Sequence, residues 1–178
     1  MKNIGKALLV LVLAMATACN GTTSPEAETE QPEVVAEDTL QPLETAPDTT
    51  LQIVQEITIR AVGKDPQKMV FDQDTLEVKA NALVRVNLIN EGTDPTMVHN
   101  IVFTTPGRYR QVALEGAKVG PSGNYVPDNP TVLAASPLAL PGQTVQIEFK
   151  APEKPGSYEF VCTYPDHYER MTGKLLVR

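Results

Sequence analysis

The sequence predicts an all-β domain over residues 51–178, an antiparallel β-sandwich or barrel. Two observations predict it. Short runs alternating apolar and polar residues recur at the spacing of sandwich strands, with turn residues between them. The 15 prolines and 11 glycines are spread along the chain, which disfavours a helical bundle because proline breaks helix interiors. A hydrophobic content of 42% with 21% charged residues is ordinary for a globular protein, and residues 51–178 suffice for one hydrophobic core.

The elements follow in order. Residues 52–62 read as the first strand. Residues 68–71 and 75–79 follow, separated by the turn-like Asp72, Gln73 and Asp74. Residues 83–90 place Val84, Val86 and Leu88 on one face by the period of two. Residues 100–103, 144–150, 156–162 and 173–178 complete the strands. Asn90-Glu91-Gly92, Pro141-Gly142 and Lys154-Pro155-Gly156 punctuate them as turns. Only residues 108–119 look helical, a short insertion between strands.

Charge divides the chain. The net charge is −7, but residues 20–50 hold eight acids and no Lys or Arg, whereas residues 51–178 hold 13 basic and 14 acidic residues. The acidity therefore belongs to a segment rather than to the domain. A nucleic-acid partner is excluded, because phosphate contacts need clustered Lys and Arg. Two Cys and two His in the whole chain exclude a disulfide-stapled scaffold and any site built from many imidazoles.

Residues 1–18 read as a signal peptide. Lys2 and Lys6 form a positive start, and the apolar run 7–18 is too short to span a bilayer, which takes roughly 20 residues. Ala16-Thr17-Ala18-Cys19 resembles the lipobox of bacterial lipoproteins, which implies lipidation of Cys19 at the mature N-terminus. Residues 19–50 then form a disordered Thr/Glu/Pro linker without aromatic residues, unable to bury enough apolar surface to fold.

The chemistry concentrates in two segments. Near the C-terminus, Cys162 is followed by His167 and Met171; upstream, His99 and Asn100 precede a strand. Every Cys and His after Cys19 lies in these segments. Thiolate and thioether favour copper, and two His with one Cys in a trigonal plane plus a weak axial Met is the blue-copper donor set. Zinc would accept two His and one Cys but has little use for a thioether. Tyr158, Phe160 and Cys162 share one strand face, and Pro165 forces a turn between Cys162 and His167.

This pattern, Cys-Thr-aromatic-Pro-X-His followed by Met, with His-Asn upstream, resembles the cupredoxins, particularly azurins and auracyanins. The resemblance implies a Greek-key sandwich, with one copper ion held by His99, Cys162 and His167 and weakly by Met171. It implies that Asn100, with Thr163, ties the two ligand segments, and that the Val98 carbonyl offers a weak contact. Val98 and Asp166 stand where azurins usually carry Gly. The azurin disulfide cannot form, since Cys162 is the only Cys after Cys19.

The implied function is one-electron transfer by a copper carrier, not an enzyme, lipid-anchored at the membrane on the periplasmic side of a bacterial envelope. Its implied partners are redox proteins of a respiratory or photosynthetic chain, or a periplasmic oxidoreductase. Electrons would leave at a patch of Pro165, His167 and Tyr168, joined by Met97 and Leu138, with Asp166 and Glu169 around it. A copper storage or delivery lipoprotein is the alternative, with Met69, Met97 and Met171 as the domain's only thioethers. A metal-free binding module is the third reading.

Overall fold

The computed structural model describes residues 54–178 apart from Lys64 and Pro66. The signal segment, Cys19 and the linker lie outside the described residues.

Nine strands and one α-helix follow in order: β1 (Val54–Val62), β2 (Val70–Phe71), β3 (Thr75–Val78), β4 (Leu83–Asn90), β5 (Val102–Thr104), α1 (Tyr109–Val119), β6 (Val132–Ala135), β7 (Thr144–Lys150), β8 (Gly156–Val161) and β9 (Thr172–Val177). They form two sheets, β2-β1-β4-β7 and β3-β9-β8-β5-β6. The helix falls where residues 108–119 suggested it. β6 is the strand that pattern reading misses. Its Val-Leu-Ala-Ala sequence is half-buried throughout, so it carries no alternation.

The antiparallel sandwich that the alternation suggested also contains two parallel pairings. β1 pairs in parallel with β4, Val54 opposite Leu83 through Ala61 opposite Asn90. β3 pairs in parallel with β9, Thr75 opposite Lys174 through Val78 opposite Val177. The physical reason is that a period of two says which residues face the core but not which way the neighbour runs. Between β1 and β4 the chain crosses to the other sheet to form β3, so β4 returns in the direction of β1.

Burial follows the alternation. In β4 every second residue from Val84 to Asn90 is buried. Ile59, Val84, Val86, Leu88, Phe103, Phe160 and Leu175 meet between the sheets. A smaller cluster lies outside the second sheet, where Val112 and Ala113 of α1 cover Val102 and Val161. The helix is capped by a distant residue. Arg108 has no side-chain cap of its own, and its backbone N–H and that of Tyr109 donate to Glu159 Oε2 at 3.0 and 3.3 Å. A carboxylate there also favours the positive end of the helix dipole.

The register directs three connections to one end of the sandwich. Ile89 lies opposite Thr144, and Val102 lies opposite both Val161 and Ala135. The β4–β5, β6–β7 and β8–β9 loops therefore converge there, and they carry the site.

Gly173 in β9 lies opposite Phe160 in β8, and the Phe160 ring occupies the space a side chain would take. A Cβ at Gly173 would overlap that ring and stand 2.6 Å from the Asp74 carbonyl oxygen. Gly173→Ala is expected to cost about 1–3 kcal/mol through overpacking, read by urea unfolding of the metal-free domain. Wild-type stability would show that the ring moves aside freely.

Candidate metal centre

Cys162 follows directly on β8, where the core face runs from Phe160 to Cys162, both fully buried. Its N–H donates to the Met171 carbonyl at 2.9 Å. This bond closes the 162–171 loop and sets Met171, fully buried, beside Cys162. Two overlapping turns build the loop: His167 N–H donates to the Tyr164 carbonyl at 3.2 Å, and Met171 N–H to the His167 carbonyl at 2.9 Å. Asp166 has φ of 66°, left-handed backbone that suits Gly and that Asp tolerates better than most residues.

The β4–β5 loop delivers His99. Its backbone is clamped to the β6–β7 loop: His99 N–H donates to the Ala139 carbonyl at 3.1 Å and Ala139 N–H to the His99 carbonyl at 2.7 Å. Asn100 then joins the two ligand segments. Its Oδ1 accepts the Thr163 N–H at 2.8 Å, and its Nδ2 donates to Thr163 Oγ1 at 2.8 Å and to the Asn124 carbonyl at 2.9 Å. Val98 is buried, in a tight turn closed by its N–H to the Thr96 carbonyl.

Three donor atoms meet. His99 Nδ1 lies 3.2 Å from His167 Nδ1, and Cys162 Sγ lies 3.9 Å from the first and 3.6 Å from the second. The circle through them has a radius of about 2.1 Å, within the ~2.0–2.3 Å of nitrogen and sulfur bonds to a first-row metal. An ion at that distance from all three lies close to their plane. A trigonal copper site requires this; a tetrahedral zinc site does not. The donors therefore fit copper.

Electrostatics agree with a site made for a cation. Burial, and then the neighbouring His167, hold the His99 imidazole down to about 3. Burial, and then Arg170, hold His167 down to about 4. Both rings are thus neutral near pH 7. Burial pushes the Cys162 thiol up to about 12, although backbone N–H groups of Asn100 and Tyr164 directed at its sulfur pull the other way. A bound cation would reverse that balance, since a coordinating thiol is deprotonated outright. His99 Nε2 is buried without a hydrogen-bond partner among the described residues, and the main-chain bonds to Ala139 hold the backbone from which that imidazole extends.

The expected exit patch is only partly assembled. His167 is 4% exposed and Pro165 is half-buried. Met97 is fully buried and offers no surface; this corrects its placement in the patch, and the reason is that its side chain packs into the main hydrophobic cluster. Tyr168 packs against the cluster beneath α1, with the Arg110 guanidinium 5.7 Å from its ring centre. Leu138 is half-buried and Leu140 is 49% exposed. Sequence reading missed Asn90 itself. The available signal was a polar residue in register with the inward row Val84, Val86 and Leu88.

A Greek-key β-sandwich with two imidazoles and one thiol gathered at its loop end defines a cupredoxin-type copper protein. Comparison with known proteins agrees. Residues 58–178 match the family described as copper binding proteins, plastocyanin/azurin family. Auracyanin-A of Chloroflexus aurantiacus is 34% identical over 119 residues, covering 65% of this chain and 72% of that protein. Azurin iso-2 of Methylomonas sp. strain J is 33% identical over 113 residues, covering 60% and 88%. The solved structure of auracyanin A superposes with a TM-score of 0.63 at 33% identity, covering 70% of this chain and 99% of that one. The chain belongs to the plastocyanin/azurin family of copper-binding proteins. It is a blue-copper electron-transfer protein, of a family that binds one copper ion and works with redox partners.

The metal-free domain is expected to have a pH optimum of stability. Below the ordinary imidazole value, roughly 6.5, the unfolded chain takes up protons that buried His99 and His167 refuse, so stability falls with pH until their folded values near 3 and 4 are reached. Above the ordinary thiol value, roughly 8.5, unfolded Cys162 loses a proton that the folded thiol keeps, so stability falls again towards pH 12. Urea midpoints at about pH 5, 7.5 and 10 should peak at the middle value. A flat profile would contradict the burial of these groups.

Proposed function

We propose that His99, Cys162 and His167 are the equatorial ligands of a single copper ion, with Met171 its weak axial ligand. In this reading the domain is a one-electron carrier rather than an enzyme. The observation that carries the reading is the donor triangle, whose radius equals a metal–ligand bond. When bound, copper supplies a one-electron couple between Cu(I) and Cu(II). The chain's part is to hold the donors in a place that suits both states. The His99–Ala139 clamp, the Asn100–Thr163 bonds and the Cys162–Met171 bond each fix one limb of the site. Little needs to move when charge changes, and the Val98 carbonyl is left as a weak further contact.

His167 and Pro165 form the exit for the electron, with Tyr168 supporting the loop from behind. Asp166 and Glu169 are exposed on the same loop and favour partners with a positive rim. Such partners are redox proteins of a respiratory or photosynthetic chain, or a periplasmic oxidoreductase. Storage or delivery of copper is disfavoured, because Met69, Met97 and Met171 are all buried and offer no exposed thioether cluster.

Residues 1–18 direct export, Cys19 carries lipid, and residues 20–50 tether the domain 51–178 to the membrane in the cell envelope. Among the described residues no helix is long and apolar enough to cross a membrane.

Absorption and redox titration of the copper-loaded protein test the site. Cys162→Ser should abolish the intense visible band, which is sulfur-to-copper charge transfer. Met171→Gln should lower the reduction potential, because a harder oxygen donor favours Cu(II), and Met171→Leu should raise it. A blue Cys162→Ser protein, or an unchanged potential in both Met171 variants, would refute the assignment.

Deleting residues 20–50 while keeping Cys19 tests the tether. The copper spectrum should survive, and electron delivery to membrane partners should slow. Equal rates in membranes would remove any role for reach.

A further inference from the structure

We propose that Asn90 is a positioning residue that sets the His99 limb of the site before any metal arrives. It stands at the end of β4, in register with the core residues, and is 1% exposed. A buried amide needs partners, and this one spends both donors on the same limb. Its Nδ2 donates to the Met97 carbonyl at 2.7 Å and to the Ala139 carbonyl at 2.8 Å. Met97 lies two residues before His99. Ala139 is the residue to which the His99 backbone is clamped in both directions. One side chain thus fixes the peptide groups on two sides of His99.

The other atoms of Asn90 complete the frame. Its Oδ1 accepts the Gly92 N–H at 2.8 Å, which folds the start of the β4–β5 loop back over the amide. Its backbone N–H donates to the Gln143 carbonyl, and its carbonyl accepts the Gly142 N–H. Gly92 belongs to the same device. A Cβ there would stand 2.8 Å from Asn90 Oδ1 and 2.8 Å from Met97 Cβ, so the loop can close over the amide only with glycine. This clamp holds the backbone from which the His99 ring reaches Cys162 Sγ and His167 Nδ1.

The inference rests on His99 being a copper ligand, and its test separates the two claims. Asn90→Leu keeps size and removes both donors without adding charge. In the metal-free protein, hydrogen exchange by NMR should show protection of the His99 amide falling several-fold while that of Phe160 in β8 holds. In the copper-loaded protein the visible band should weaken or shift and the reduction potential should move. Loss of protection at every amide alike would mean a merely structural role and would overturn the proposal. So would a folded Asn90→Leu protein with wild-type His99 protection, spectrum and potential. If that variant does not fold, Gly92→Ala, which presses on the amide from outside, is read by the same measurements, with a smaller change in the same direction expected. Wild-type values there overturn it equally. If the wild-type protein binds no copper as a blue complex, the ligand assignment fails, while the exchange data still decide whether Asn90 orders the His99 limb.

Discussion

Two imidazole nitrogens and a thiol sulfur aimed at one point, within 4 Å of each other and away from water, form an arrangement no chain adopts for its own stability. The two neutral rings meet Nδ1 to Nδ1 at 3.2 Å, with the Cys162 sulfur within reach of both, and taking three such polar groups out of water is costly. Much of the loop end of this domain is what it takes to hold that arrangement. Each donor is fixed by main-chain bonds rather than by its own side chain: His99 through Ala139, Cys162 through Met171, and His167 within a double turn. The site is a property of the backbone, completed by two buried asparagines.

Those asparagines divide the work. Asn100 spans between the His99 segment and the Cys162 segment and fixes their separation. Asn90 acts within the His99 side and fixes its orientation. Both are amides, which offer donors and an acceptor together without charge. A carboxylate in either place would lack the donors and would add a buried negative charge near the metal.

The sequence announced the donors and concealed their frame. The pairing of Cys162, His167 and Met171 in one loop is visible because soft ligands are scarce and close in the chain. The strands showed wherever one face met the core and the other met water, as in β4 and β7. β6 was hidden because it is half-buried along its length. The two parallel pairings were hidden because alternation is blind to direction. Asn90 was hidden because a polar residue at a strand end reads as a turn; its partners at 97 and 139 are neighbours only after folding. Met97 was misplaced for the same reason, since the hydrophobic cluster it packs into is gathered only by folding. Tyr168 could not be placed without knowing that α1 folds over the outside of the second sheet.

The parallel pairing of β3 with β9 has a consequence for how the protein is made. β9 spans Thr172–Val177, and its partner β3 is synthesised about a hundred residues earlier. The second sheet cannot close until β9 has been made, and contacts of such long sequence separation form slowly. Until then Cys162 is an ordinary thiol in an unfinished chain, with neither His99 nor Met171 held against it. A chain truncated within β9 would lack the strand that joins β3 to β8.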